Sequence, residues 1–282
     1  MVGMNQPLDG AAPAGGLPRP LVVAIGASNL SRGLSRLVAV SQAWAGGPID
    51  LVVAAGHGRS FGANSRVWNR RLPSILGCGL WRSLDRLLAD QAAADRPKVA
   101  IMTDIGNDLL YGFTVEQLAS WVEETLVRLR QRGFQVVITR LPLASIAGVG
   151  PFQYRLLKTV FVPGCPLLLE QVRDRSAEID AAIVDRAGTF AATVIDQPAD
   201  WYGCDAIHLR RSSLAQLWAA AAACWDYPGL PRRDARAPRW FAWTAWVQLG
   251  MAAAEVRSLS QVMLFTRQPA VQLADTTRVF LY

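Results

Sequence analysis

Histidine is nearly missing from this 282-residue chain, which has two. Few residues can therefore act as a base near neutral pH. Cysteine is scarce as well. Cys78, Cys165, Cys204 and Cys224 form no C-x-x-C pair and no metal-ligand spacing. A domain of this size needs no disulfides, so free buried thiols are expected. Long apolar runs are also lacking: the nearest approach, 214–225, is broken by Gln216 and falls short of the roughly 18 residues that cross a bilayer. No apolar h-region opens the chain. Residues 1–20, rich in Gly, Pro and Ala, read as a disordered leader, and cytoplasm is the expected compartment. The net charge is +7, yet the basic residues are scattered singly or in pairs, with no basic stripe interleaved with aromatics. No nucleic-acid partner is expected.

What the chain has is apolar material, 51% against 18% charged, enough for one sizeable packed domain. Short apolar runs at 21–26, 49–55, 99–105, 134–139 and 190–196 read as strands buried on both faces. Helical periodicity separates or follows them at 33–45, 81–94, 114–132, 167–186 and 212–225. Thr114 as N-cap, Glu116 and Gln117 in the first turn and Gly133 as stop mark the third of these. Such alternation predicts an α/β fold of three layers, α/β/α, around a five-stranded parallel sheet spanning 21–227. Residues 228–282 read as a C-terminal extension, a Pro/Arg-rich connector followed by a Trp-rich appendage. Trp240, Trp243 and Trp246 recur every three residues, as on one helix face, and are expected to dock on the main domain or on a second subunit of a homo-oligomer. Segments 262–266 and 278–282 read as short strands.

Ligands of parallel sheets bind at the carboxyl ends of the strands. Ser28 follows the first strand, Gly58 the second and Asn107 the third, while Asp205 and His208 lie beyond the fifth. Core packing alone would not gather them at one edge. Ser28, His208 and Asp205 supply a nucleophile, a base and a carboxylate to orient the base. A neutral imidazole takes a serine proton only when its other nitrogen is held, which fixes the tautomer. Each residue also has a plainer reading. Ser28 suits a helix or turn cap, Asp205 and His208 an Asx turn that caps the last helix, and Asn107 a turn.

The loop Gly56-His57-Gly58-Arg59-Ser60-Phe61-Gly62 lacks the Gly-Lys-Ser/Thr of a phosphate cradle and does not match the dinucleotide fingerprint. His57 has no acid nearby in sequence and ranks below His208 as a base. Arg59 is expected to be solvated, with contact to a polar or anionic substrate as the other reading. Asp104 and Asp108 flank Asn107 without a ligand set, so no metal and no cofactor are expected. Loops 59–79 and 141–166 are expected to shape the pocket.

These residues resemble the SGNH hydrolases, the GDSL-type lipases and esterases, over roughly 21–225. Ser28 in Gly26-Ala27-Ser28 matches the first block, Gly58 the second, Asn107 in Gly106-Asn107-Asp108 the third, and Asp205-Ala206-Ile207-His208-Leu209 the last. The resemblance implies a flavodoxin-like domain and a serine esterase or deacetylase acting on a small-molecule or carbohydrate ester. Ser28 would attack the acyl carbonyl, His208 accept its proton and Asp205 orient the ring. The N–H groups of Ser28 and Gly58 and the Asn107 amide would hold the oxyanion, with Gly56 and Gly62 as competitors for Gly58. An acyltransferase using the same triad, and a non-catalytic binding or assembly domain of this fold, are the alternatives. The chain departs from the pattern twice. Ala27 stands where the first block usually has Asp, and Ile105 where the third has another glycine. Neither position performs the chemistry, so shifted loop geometry is expected.

Overall fold

Five strands alternate with helices in the computed structural model, which describes residues 19–67, 70–89, 95–203, 205–227, 230, 243–259 and 262–282. The leader up to residue 18, Cys204, Trp240 and all of the connector except Tyr227 and Leu230 lie outside the described residues. The chain runs β1 (Leu21–Ile25), α1 (Ser28–Ala45), β2 (Asp50–Ala54), β3 (Ser65–Val67), β4 (Arg70–Leu72), α2 (Leu80–Leu88) and β5 (Lys98–Met102). It continues through α3 (Asn107–Leu110), α4 (Val115–Gln131), β6 (Gln135–Thr139), α5 (Leu143–Ala147), α6 (Pro151–Phe161), α7 (Leu169–Thr189) and β7 (Thr193–Ile195). After α8 (Arg211–Ala223) and α9 (Trp243–Met251) come β8 (Val256–Leu259), β9 (Val262–Phe265), β10 (Val271–Gln272) and β11 (Arg278–Leu281).

Alternation along the strands builds the layers. Val23, Ile25, Val52, Ala100 and Met102 pack with Leu84 of α2, Leu126 of α4 and Ile183 of α7. Val22, Ala24, Leu51, Val53 and Ile101 pack on the other face with Leu37 of α1, Leu217 of α8 and Leu249 of α9. Burial on both faces is why these strands are continuous apolar runs. Helices α1 and α8 approach closely at Gly33, whose carbonyl accepts from Trp218 Nε1 at 3.1 Å. A Cβ at Gly33 would meet that nitrogen at 2.6 Å. The Thr114 capping box of α4 is present, with Gln117 N donating to Thr114 Oγ1 at 3.2 Å.

The sheet order is β10-β11-β2-β1-β5-β6-β7. All neighbours are parallel except β10 and β11. Strand order reverses direction at β1, so the crevice between the carboxyl ends of β1 and β5 is the switch point at which open α/β sheets bind ligands. The expected five-stranded sheet is corrected to seven strands. β11 and β10, from the segment read as an appendage, extend it beside β2. Asp50, buried at the start of β2, explains the docking: it accepts from Arg278 Nε and Nη2, both at 2.7 Å, and from Arg96 Nη2 at 2.6 Å. Burial raises the Asp50 pKa, but the Arg278 and Arg96 hydrogen bonds outweigh it and hold the carboxyl below its ordinary value.

Other parts of the segment behave differently. β8 and β9 join β3 and β4 in a separate antiparallel sheet. Trp243 and Trp246 stack on each other with ring centroids 5.0 Å apart and are 72% and 51% exposed. They do not dock on the main domain; α9 is held by Leu249 instead. Segment 141–166 contains α5 and α6, neither of which buries a residue fully. Among the described residues no helix is long and apolar enough to cross a membrane.

Candidate active site

Beyond β7 the chain makes a 3-10 turn at Ala199–Trp201 and is then pinched by an antiparallel bridge between Tyr202 and Leu209. The pinch closes a tight turn at 205–208, with Ala206 left-handed at φ 60°. A non-glycine residue in that region is strained, and such strain persists only where surrounding structure imposes it. Asp205 organises the turn. Its Oδ1 accepts from the backbone N–H of His208 at 2.8 Å and of Ile207 at 3.3 Å, and its Oδ2 lies 2.6 Å from His208 Nδ1. The Asx turn and the carboxylate–imidazole pair are therefore one structure.

Burial raises the Asp205 pKa, but hydrogen bonds from the His208 ring and amide outweigh it and keep the carboxyl below its ordinary value. An ionised carboxylate only accepts, so Nδ1 carries the proton and Nε2 presents the basic lone pair. Phe161 at the end of α6 tilts over the ring, centroids 5.3 Å apart.

Ser28 is the first residue of α1. Gly26 lets β1 pass close to β5 just before it; a Cβ there would lie 2.7 Å from Thr103 Cγ2. The N-cap residue, Ala27, has no side chain to accept from the helix N–H groups, and the first turn has no acid. Asp104, beyond β5, fills that role from a distance. Its Oδ2 accepts from the N–H of Ala27 at 2.8 Å, of Asn29 at 3.0 Å and of Leu30 at 3.2 Å. Of the four amides from Ala27 to Leu30, this carboxylate takes all but that of Ser28.

Asn29 completes the link. Its Nδ2 donates to Asp104 Oδ1 at 2.8 Å and to the Ile207 carbonyl at 3.0 Å, while its Oδ1 accepts from Leu209 N at 2.9 Å. One buried amide thus ties together the Ser28 turn, the β5 loop and the His208 loop. Sequence reasoning assigned Asn29 nothing and weighed Asp104 only as part of a metal site. Their roles depend on partners 74 to 180 positions away, which no local pattern reveals.

Asn107 heads α3 and lines a cavity together with Ser28, Gly106 and Asp205. Gly58 is outside that cavity's lining. It adopts φ 67°, as glycine readily does, and its carbonyl accepts from Tyr111 Oη at 2.8 Å, which ties its loop to the end of α3. A second tie runs through Asp108, whose Oδ2 accepts from Phe61 N at 3.1 Å. Burial pushes the Asp108 carboxyl up to about 6, against the pull of the Ser60 hydroxyl and the Phe61 amide. Arg59 corrects the expectation of a solvated or substrate-facing guanidinium. It is 1% exposed, and donates to the carbonyls of Pro73 at 3.1 Å and Ala55 at 3.2 Å and to the main-chain oxygen of Tyr282. It fastens the loop to the end of β11. Cys78, Cys165 and Cys224 are free thiols.

Asp108 gives a pH-dependent expectation. A carboxyl whose pKa is raised on folding stabilises the fold below its unfolded value near 3.8, and that contribution is lost as pH rises through about 6. Asp108→Asn keeps an acceptor for Phe61 N and removes the titration. Relative to the wild type, the variant should gain roughly 2–3 kcal/mol between pH 4 and 7, read as the difference between denaturant midpoints across that range. A constant difference would exclude a titrating Asp108.

No family model matches the chain, and no curated protein matches it. Similar solved structures include the psychrotrophic esterase EstA from a Pseudoalteromonas species, 14% identical over 70% of this chain and 92% of that one, with a TM-score of 0.40. A GDSL-like lipase from Bacteroides thetaiotaomicron is 10% identical over 72% and 86% of the two chains, TM-score 0.42. AlinE4, an SGNH-hydrolase family esterase, is 16% identical over 72% and 93%, TM-score 0.38.

Proposed function

We propose that this chain is a serine ester hydrolase of the SGNH type, with Ser28 as nucleophile, His208 as base and Asp205 as the group that orients the base. The observation that supports it most is the 2.6 Å contact between His208 Nδ1 and Asp205 Oδ2, in a loop whose residues share a cavity wall with Ser28. Ser28 Oγ attacks the acyl carbonyl while His208 Nε2 takes its proton. The alcohol departs with that proton, leaving an acyl-enzyme, and a water activated by the same nitrogen releases the acid. The Ser28 N–H group and the Asn107 amide, which line the same cavity, receive the oxyanion. Each such donor typically contributes about 2.7–4 kcal/mol in the transition state.

Purified protein should hydrolyse p-nitrophenyl acetate and react covalently with a fluorophosphonate at Ser28. Ser28→Ala should abolish labelling and lower kcat by at least about 10^4-fold. Retention of either activity in that variant, or a label found on another residue, would overturn the assignment.

A further inference from the structure

Strand β9 is an open edge. In the antiparallel sheet β3-β4-β8-β9 it pairs with β8 on one side and, among the described residues, with no strand on the other. Its residues Val262, Met263, Leu264 and Phe265 are all apolar and are 58%, 53%, 44% and 74% exposed, so both of its faces meet solvent. An exposed apolar edge is a template for another strand, and proteins that leave one open usually guard it with charge, proline or a bulge. β9 has no charge and no proline, and its register with β8 is unbroken from Val256↔Phe265 to Leu259↔Val262.

The backbone determines what that edge offers. Thr266 N donates to the Glu255 carbonyl at 2.8 Å, and hydrogen-bonded pairs alternate with non-bonded ones along an antiparallel ladder. Val262 and Leu264 therefore spend their N–H and C=O groups on β8, while Met263 and Phe265 turn theirs outward. A second β9 has the matching spacing. Run antiparallel about a two-fold axis through Leu264, it sets each Met263 opposite Phe265 of the partner subunit, and both pairs are of the hydrogen-bonded kind. Met263 and Phe265 also share a face of the pleat, so thioether and ring meet across the junction, a favourable contact. At these exposures β9 offers on the order of 400 Å² of apolar side chain per copy, and Trp243, Trp246 and Met251 of α9, at 72%, 51% and 81%, about as much again; together they reach the roughly 800 Å² per partner of a standard interface. α9 leads into β8 at Val256, the register partner of Phe265, so it adjoins that end of the edge.

We propose that this chain forms a two-fold dimer in which β9 pairs with β9 of a second copy, joining two four-stranded sheets into one. The pairing uses the same edge in both copies, so assembly closes at two.

Residue 264 lies on the axis and faces its own copy, which makes it the reporter. Sedimentation equilibrium of the full-length wild type at about 100 μM should give twice the 30.7 kDa of one chain. Leu264→Lys and Leu264→Glu each set like charges directly opposite one another, and each should raise the dimer Kd at least about tenfold. An equimolar mixture of the two variants sets opposite charges together and should recover most of that loss. Melting temperatures are the control for folding. Where a charged variant does not fold, Leu264→Cys takes its place: non-bonded pairs hold Cα atoms about 4.5 Å apart, so mild oxidation should give a cross-linked dimer with the disulfide mapped to residue 264 of both copies. A monomeric wild type at that concentration, a dimer indifferent to both charges, a mixture that associates no better than either variant alone, or no cross-link at 264 would each overturn the proposal.

Discussion

Asp205→Asn should lower kcat by about 10^4-fold with little change in KM, although the two side chains have the same shape. The reason is the division of labour between the two carboxylate oxygens. Oδ1 accepts from two fixed backbone donors, the N–H groups of Ile207 and His208, and Oδ2 faces His208 Nδ1. An asparagine has one acceptor oxygen and one donor nitrogen. The backbone donors demand the oxygen, so the amide nitrogen turns to the imidazole and donates to Nδ1. The proton then resides on Nε2, which cannot take one from Ser28. Asp205→Asn should therefore be no more active than Asp205→Ala, which leaves the tautomer unforced. Initial-rate kinetics on a p-nitrophenyl ester would check this, with melting temperatures as the control for folding. An asparagine variant within tenfold of wild type would mean that the carboxylate does not set the tautomer. Wild-type Asp205 is also held below its ordinary pKa by His208 after the opposing effect of burial. Its stabilising contribution is therefore complete above pH 4 and lost only as pH falls through the lowered value. The acid limb of the rate profile should not belong to it.

Legibility in the sequence followed burial. β1, β2, β5 and β6 were plain because both faces are covered, so each is an uninterrupted apolar run. β11 was readable as a strand but not as a member of this sheet, since its place depends on Arg278 finding Asp50 across 228 positions. The Trp stripe had helical spacing, which fixes a face and not the neighbour of that face. Arg59 was misread for a related reason: a cation in a glycine loop has no sequence signature for burial, and its partners are main-chain oxygens. At the candidate site, Asp205 and His208 could be read from a local turn. The Asn29–Asp104 linkage could not, because it joins three loops that are adjacent only after the sheet forms.

That linkage supplies the second large effect. Asp104→Ala removes the acceptor for three backbone amides of the Ser28 turn and for the Asn29 side chain. Donors left unpaired near the interior cost about 1–3 kcal/mol each, partly relieved by water. A loss of about 4 kcal/mol is expected, on the order of 10 °C in Tm, with kcat down about a hundredfold as Ser28 and the His208 loop lose their common anchor. Asp104→Asn should fall between, since asparagine tolerates the left-handed backbone found at 104, φ 58°, and keeps one acceptor but no charge for the helix N-terminus. The sharper experiment relocates the carboxylate. Residue 27 is the N-cap of α1, and an aspartate there reaches the N–H groups of the second and third helical residues, Asn29 and Leu30, two of the amides that Asp104 serves. In the wild-type background Ala27→Asp should destabilise, because Ala27 is 1% exposed and the new carboxylate would meet the old one. In the Asp104→Ala background the same substitution should restore part of both Tm and kcat. A change of sign between the two backgrounds is the signature of one anion site with two possible donors. Equal effects in both would mean that Asp104 acts through something other than those amides.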